Sequence, residues 1–322
     1  MDARAESRRL KLDPAVGQAL PHDSAHLHVT GQAAYTDDLP EPRGLLHVAV
    51  GMSSLPHARV EAMDLHKVLA APGVRDTLTA PDIPGENNFG PIVHDDPILV
   101  AEEALYAGHP LFAVAADTVD AARKAALLAE VDLEALPAIF DPVSAVERES
   151  FVLPTENLSR GDAKAAIDTA KHRISGRVAC GGQDQFYLEG HIAMAVPQED
   201  DGLVVYSSTQ HPDEVRSLVA GCLGREAKNI VVICRRMGGA FGGKESQAAL
   251  IACIAALMAD KTGRACKLRL NRDDDMIMTG KRHDFVFDYD VGFDDSGRIQ
   301  GVEFEMSARC GISADLSGPV CD

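Results

Sequence analysis

The run from Arg235 to Glu245 (Arg-Arg-Met-Gly-Gly-Ala-Phe-Gly-Gly-Lys-Glu) constrains the fold more than any other stretch of this chain. Four of the six residues from 238 to 243 are glycine, so the backbone can bend there where a Cβ would forbid it. A β-like run, Ile230-Val231-Val232-Ile233-Cys234, precedes it, and an apolar helical pattern from Ala248 to Met258 follows. Strand, glycine turn and helix in that order form the geometry that aims backbone N–H groups at an anion. Two glycine pairs around one aromatic also let a ligand approach the main chain closely.

The surrounding composition narrows the class. At 322 residues the chain is long enough for two domains. Its net charge of −18 argues against a nucleic-acid surface, which needs a basic patch. An acidic, soluble, cytoplasmic protein is the expectation. No stretch approaches the ~18 apolar residues of a transmembrane helix, and Met1-Asp2-Ala3-Arg4 opens no signal-peptide core. The seven cysteines include no C-x-x-C pair, so they read as reduced, mostly buried thiols rather than a zinc or redox site.

The pattern along the chain predicts an α+β, mixed α/β architecture. Residues 1–20 read as a flexible tail. Residues 21–138 read as a small α/β domain, with strands within 44–52, 57–60, 111–115 and 131–133. Helices are expected over Leu65–Ala70 and Thr118–Leu128, the latter with Val119, Ala122, Ala126 and Leu127 on one face. A proline-punctuated loop fills 81–97. Residues 139–165, with Pro142, Pro154 and Gly161, read as a linker. In 166–322, strands are expected over 192–196, 203–207, 230–234 and 266–270. A helix opens at Pro212 with the stripe Val215, Leu218, Val219, Cys222 and Leu223, and Gly224 closes it. Strict alternation of Phe285, Phe287, Tyr289, Val291 and Phe293 predicts a strand. A turn at Asp295-Ser296-Gly297 returns it so that Val302, Phe304 and Met306 share its face. The stretch from Cys310 to Asp322 reads as stopping in mid-loop, so the expectation is a truncated portion of a larger domain.

Gly238, Gly243 and Lys244 fit part of the P-loop pattern, but Glu245 stands where a magnesium-binding hydroxyl belongs, and its carboxylate would repel phosphates. A second glycine bend, Gly181-Gly182-Gln183, places an amide that can donate and accept at a turn, which suits an oxo ligand or a heterocycle edge. His22, His26 and His28 read as surface histidines, and Arg272-Asp273-Asp274-Asp275 as a solvated turn. Arg235-Arg236 reads either as a solvated strand end or as a site for an anionic group.

Taken together, the runs resemble the molybdenum-binding subunit of the molybdenum hydroxylases, the xanthine dehydrogenase and aldehyde oxidase family. The carriers are Gly181-Gly182-Gln183 with Phe186-Tyr187-Leu188-Glu189, Ser208-Thr209-Gln210, Arg236 through Glu245, Arg282-His283 and Asp315-Leu316-Ser317. The resemblance implies that 21–138 is that family's α/β hammerhead domain and 166–322 the N-terminal part of its molybdopterin-binding domain. It implies that Gln183 contacts an oxo ligand of molybdenum and that Phe241 lies beside the metal. Gly239, Ala240, Phe241 and Gly242 would support the molybdenum–molybdopterin cofactor. Glu245 matches the purine-binding position of xanthine dehydrogenases, where aldehyde oxidases carry an apolar residue. The implied reaction is hydroxylation of purines, hypoxanthine to xanthine to urate, with electrons leaving through iron–sulfur clusters to FAD on a partner chain or domain. That makes a hetero-oligomer the expected assembly. The family's general base and a substrate-clamping arginine find no counterpart here, so no catalytic residue is assigned. The alternatives are an aldehyde oxidase or another heterocycle hydroxylase, or a non-catalytic, truncated assembly piece.

Overall fold

The computed structural model describes residues 16–321, and most of the 1–20 tail lies outside them. The strands are β1 (Leu46–Met52), β2 (Ala58–Asp64), β3 (Val74–Leu78), β4 (Glu103–Ala104), β5 (Pro110–Ala116), β6 (Glu130–Ala135), β7 (His172–Cys180), β8 (Ile192–Pro197), β9 (Leu203–Ser207), β10 (Ile230–Ile233), β11 (Cys266–Arg269), β12 (Phe285–Phe293) and β13 (Ile299–Ala308). The helices are α1 (Ala25–Val29), α2 (His66–Leu69), α3 (Val119–Ala126), α4 (Pro142–Glu147), α5 (Ala163–Thr169), α6 (Pro212–Leu223), α7 (Ala248–Thr262), α8 (Arg272–Met278) and α9 (Ser317–Cys321).

A mixed seven-stranded sheet with the order β10-β9-β8-β11-β1-β5-β3 organises the molecule. Its parallel junction of β1 with β11, Leu46 opposite Cys266, joins the N-terminal third of the chain to the C-terminal half. Two smaller sheets, β13-β12-β7 and β4-β2-β6, stand beside it. One layer of the core is α7, whose residues 248–259 are buried on every side. A helix apolar all round can only be stable inside a core. It rests on β8, β9 and β11 and against α6. Ala113 and Ala115 of β5 belong to that layer, while Phe112, Val114 and Ala116 pack with α3 on the opposite face. This period-two division gives the sheet two apolar faces. No helix among the described residues is long and apolar enough to cross a membrane.

Several expectations hold. Helix α6 buries Val215, Val219, Cys222 and Leu223, and Gly224 ends it in the left-handed conformation at φ 62°. The β12–β13 hairpin pairs Phe287 with Met306, Tyr289 with Phe304 and Val291 with Val302, on one face as the alternation required. Others need correction. In α3, Val119 is 47% and Leu127 85% exposed, whereas Ala122 and Ala125 are buried. Only small side chains fit where this helix lies close on β1 and β5. Residues 139–165 are not a bare linker. They contain α4, capped by Asp141 through the Ser144 N–H and seated on β12 and β13. Strand β7 escapes a reading by periodicity, because it is an exposed edge strand with charged residues, Arg173 and Arg177, among its apolar ones. Arg173 pairs with Asp290 and Arg177 with Asp288 across the ladder to β12.

The segment preceding α9 is sewn back onto the 88–98 loop. The Ser313 hydroxyl donates to Asp96 Oδ2 at 2.7 Å, and the Ala314 N–H donates to Asp95 Oδ2 at 2.8 Å. Burial pushes the Asp96 carboxyl up to about 6, although the Ser313 hydrogen bond pulls the other way. A carboxyl whose folded pKa is raised binds its proton more tightly when folded. It therefore supports the fold at low pH and withdraws that support as pH rises through about 6. We expect Asp96→Asn, which keeps an oxygen for Ser313, to raise stability at neutral pH by on the order of 2 kcal/mol and to leave it unchanged near pH ~4. Urea unfolding at both pH values checks this.

Candidate functional site

The segment that follows the first glycine bend, residues 185–189, lies on the second bend. The Gly238 N–H donates to Glu189 Oε2 at 2.8 Å, and the Glu189 N–H donates to the Gly238 carbonyl at 3.1 Å. A Cβ on Gly238 would lie 2.5 Å from Glu189 Cβ, and one on Gly243 would lie 2.6 Å from the Tyr187 ring. Those two glycines let the 185–189 segment lie directly on the 238–243 loop. Gly239 and Gly242 serve another purpose. Both have positive φ, 104° and 92°, and a Cβ on Gly242 would meet nothing within 4 Å. That side of the bend is open.

Beneath the contact sits a buried cation. Lys244 is 0% exposed. Its Nζ donates to Ser208 Oγ at 2.9 Å and to Glu189 Oε2 at 3.2 Å, and lies 4.9 Å from the Tyr187 ring centroid. Ser208 donates to the same Glu189 oxygen at 2.6 Å. Burial draws the Lys244 pKa down, opposed by the charge of Glu189. A second network continues from Tyr187, whose hydroxyl donates to Asp275 Oδ1 at 2.6 Å, while the His191 N–H donates to Asp275 Oδ2 at 2.6 Å. Burial would raise the Asp275 carboxyl, but hydrogen bonds from His191 and Tyr187 outweigh it and hold the group well below the usual carboxylate range.

The expected solvated turn at 272–275 is thus overturned. It is the first turn of α8, capped by Asn271, and Asp275 is buried because the 187–191 segment needs its acceptor oxygens. Arg272 Nη2 donates to the Tyr187 and Leu188 carbonyls at 2.6 and 2.9 Å and so braces the same segment. Arg236 does not wait for an anion either. Its guanidinium donates to the Ala34 carbonyl and to Ser24 Oγ, tying down the N-terminal segment.

Helix α7 starts at Ala248, where the apolar pattern put it, so the N–H groups of the glycine run are not those of a helix N-terminus. The Gly242 and Lys244 N–H groups donate to Gln210 Oε1 at 3.1 and 3.3 Å, Gly243 donates to the Ala240 carbonyl, and Glu245 donates to the Gly242 carbonyl. Lys244 points inward, so the P-loop likeness fails physically. The Gly239, Ala240 and Phe241 N–H groups enter no hydrogen bond among the described residues.

Of the residues singled out from sequence, Gly239, Ala240, Phe241 and Gly242 form this bend, Glu245 follows it, and Gln183 lies on the preceding loop against Arg282. Gln183 is exposed, and its Oε1 accepts from Arg282 Nη1 at 2.5 Å. Phe241 is 74% exposed and adopts φ 56°, a conformation that costs a bulky residue energy. Gly239 is half-buried and Ala240 is buried. The side chain of Glu245 is 34% exposed, and its Oε1 lies 3.8 Å from His211 Nε2. The other ring nitrogen of His211 faces Glu214 at 3.6 Å. Two surface cavities, of about 430 and 640 Å³, are lined by other residues, among them Glu86, His94 and Glu214 in the first and Met63 and Val131 in the second. Sequence reasoning missed Phe186 as a second exposed aromatic with positive φ, at 50°, and missed the structural work of Lys244, Ser208 and Asp275. Burial of a charged residue leaves no local trace in a pattern of residue types.

A family model described as molybdopterin cofactor-binding domain matches residues 147–322, more than half of the chain. The chain belongs to that family. A second model, described as the a/b hammerhead domain of aldehyde oxidase and xanthine dehydrogenase, matches residues 30–137. A xanthine dehydrogenase of Dictyostelium discoideum is 36% identical over 307 residues, covering 95% of this chain and 22% of the relative. Aldehyde oxidase 2 of Cavia porcellus is also 36% identical, over 319 residues, covering 98% of this chain and 24% of the relative. The chain therefore spans about a quarter of the length of these relatives. Among solved structures, the aldehyde oxidoreductase from Desulfovibrio gigas superposes with a TM-score of 0.79 at 27% identity, over 88% of this chain and 33% of that one. The residues present fit the family's cofactor. Three uncommitted backbone donors and an open glycine stand at one bend, and the Gln183 amide is exposed, which suits a group rich in oxygen acceptors.

Removing the Glu189 charge strands the Lys244 ammonium in a dry site. We expect Glu189→Gln to cost ~3–5 kcal/mol. The double variant Glu189→Gln/Lys244→Met should recover part of that loss. A double-mutant cycle by urea unfolding reads both.

Proposed function

We propose that the chain forms part of the molybdenum-binding region of an enzyme that hydroxylates purines, hypoxanthine to xanthine and xanthine to urate. Glu245 carries this reading. It is a carboxylate with a partly exposed side chain at the end of the bend whose neighbouring glycine is open. When bound, molybdenum–molybdopterin supplies the oxygen-transfer and two-electron chemistry. The chain's residues bind and orient. Gln183 donates to an oxo ligand. The Gly239, Ala240 and Phe241 N–H groups and the bare Gly242 hold the cofactor at close range. The Phe241 ring would lie beside the bound metal. Glu245 hydrogen-bonds a purine ring nitrogen and so sets which ring carbon is presented. Iron–sulfur clusters and FAD on a partner chain or domain would supply the route for the electrons, and the reading includes a hetero-oligomeric assembly in the cytoplasm. The general base of the reaction is not among these residues. Within this division of labour, 21–138 is the hammerhead domain and 166–322 the start of the molybdopterin-binding domain.

An aldehyde oxidase is the second reading, favoured by the aldehyde oxidase 2 relative, which is as similar in sequence as the xanthine dehydrogenase. The two separate at Glu245. In the assembled enzyme, Glu245→Ala should lower kcat/KM for hypoxanthine roughly 10–100-fold, the loss of one hydrogen bond to a charged group. Turnover of an aromatic aldehyde should stay within about twofold. Unchanged purine turnover removes Glu245 from substrate binding and with it the purine assignment.

A further inference from the structure

We infer that Arg282 is a positioning residue that turns the Gln183 amide so that it can only donate. This rests on the reading of Gln183 as a contact to the bound cofactor, and it names the device that makes the contact directional. Arg282 grips Gln183 twice. Its backbone N–H donates to the Gln183 carbonyl at 3.0 Å in an isolated antiparallel bridge, and its Nη1 donates to Gln183 Oε1 at 2.5 Å. The crossing is close: a Cβ on Gly182 would lie 2.8 Å from the Arg282 carbonyl. A second clasp lies beside the first, with Lys281 Nζ 3.2 Å from Asp184 Oδ2. Asp184 in turn accepts the Phe186 N–H at 2.6 Å and shapes the bend.

The chemistry of the two side chains decides the orientation. An amide is ambiguous, since either its oxygen or its nitrogen can face a ligand. A guanidinium is not, because it carries only donors. The atom of Gln183 that faces Arg282 must therefore be the oxygen. No hydrogen bond among the described residues uses Gln183 Nε2. The exposed edge of the amide is thus an N–H edge, made more strongly donating by the hydrogen bond that its oxygen accepts from the cationic guanidinium. It selects an acceptor, such as an oxo group or another oxyanion, and disfavours a protonated ring nitrogen or a cation. The arginine acts through the glutamine, without itself needing to reach the ligand.

The experiment uses the full chain labelled with ¹⁵N at glutamine side chains, with molybdate as the oxyanion probe. The wild-type Gln183 amide should give a fixed pair of proton signals, shifted from free-amide values, that move on adding molybdate. Arg282→Met should return them to free-amide values and weaken the molybdate response at least tenfold, and Arg282→Lys should restore both in part. Lys281→Met removes an equal charge one residue away; it frees only Asp184 Oδ2, while Oδ1 keeps the Phe186 N–H that shapes the bend, so the Gln183 signals should stay in place. Gln183→Glu keeps the Arg282 contact as an ion pair, so its urea midpoint should not fall, yet the molybdate response of the neighbouring backbone amides should vanish with the donor edge. Gln183 signals indifferent to Arg282→Met overturn the proposal, as does an equal effect from Lys281→Met or a wild-type amide that ignores molybdate. The hypoxanthine assay on Glu245 can fail with this result intact, so the two readings fall separately.

Discussion

The buried ammonium of Lys244 is the point on which the site depends. It sits at the meeting of two loops from distant parts of the chain; its partner Glu189 belongs to one of them, and Ser208 comes from a third stretch. Glu189 is also the residue that hydrogen-bonds the Gly238 backbone. One carboxylate oxygen thus neutralises the cation, takes the serine hydroxyl and fixes the glycine run. A charge in a dry site is costly unless it is paired and hydrogen-bonded. The pairing therefore leaves one arrangement of the two bends. Asp275 does the same for the far side of the loop, through Tyr187 and His191.

This lock frees the outer surface of the bend. With Gly238 and Gly243 spent on contact, and with the N–H groups of residues 242–245 turned inward, Gly239, Ala240 and Phe241 keep their donors. The strained φ of Phe241 has a physical explanation in that setting. The chain reverses between two glycines, and the ring is carried outward at the turn. Gln210, from the Ser-Thr-Gln run, is the side chain that pulls the two inward N–H groups together. The scaffold is the mixed sheet, whose β1–β11 junction makes the two halves one body.

Much of this was legible. The strand over 192–196 shows as an apolar run because it is buried on both faces, and α7 shows as a continuous apolar helix for the same reason, while the strand over 230–233 reads as apolar although it leaves Val231 and Ile233 exposed. The β12–β13 hairpin announces itself by alternation and a Gly turn. The failures share a cause. Strand β7 and helix α8 are rich in charged residues, and a charge in the sequence reads as solvent-facing whether its partner is water, Asp288 or His191. Helix α3 fails by size: its buried alanines look neutral beside Val119 and Leu127, which face outward.

The sequence by itself determined that two glycine-rich bends exist, that an amide and a carboxylate stand at their ends, and which family the combination resembles. These are properties of residue type and order, and local geometry follows from them. Only the tertiary structure decided what each glycine is for, which N–H groups stay free, and that Lys244 faces the core rather than a ligand. Those outcomes depend on which distant segment arrives opposite each residue. A buried charge is settled by its partners in space, and the spacing of residues along the chain does not encode them.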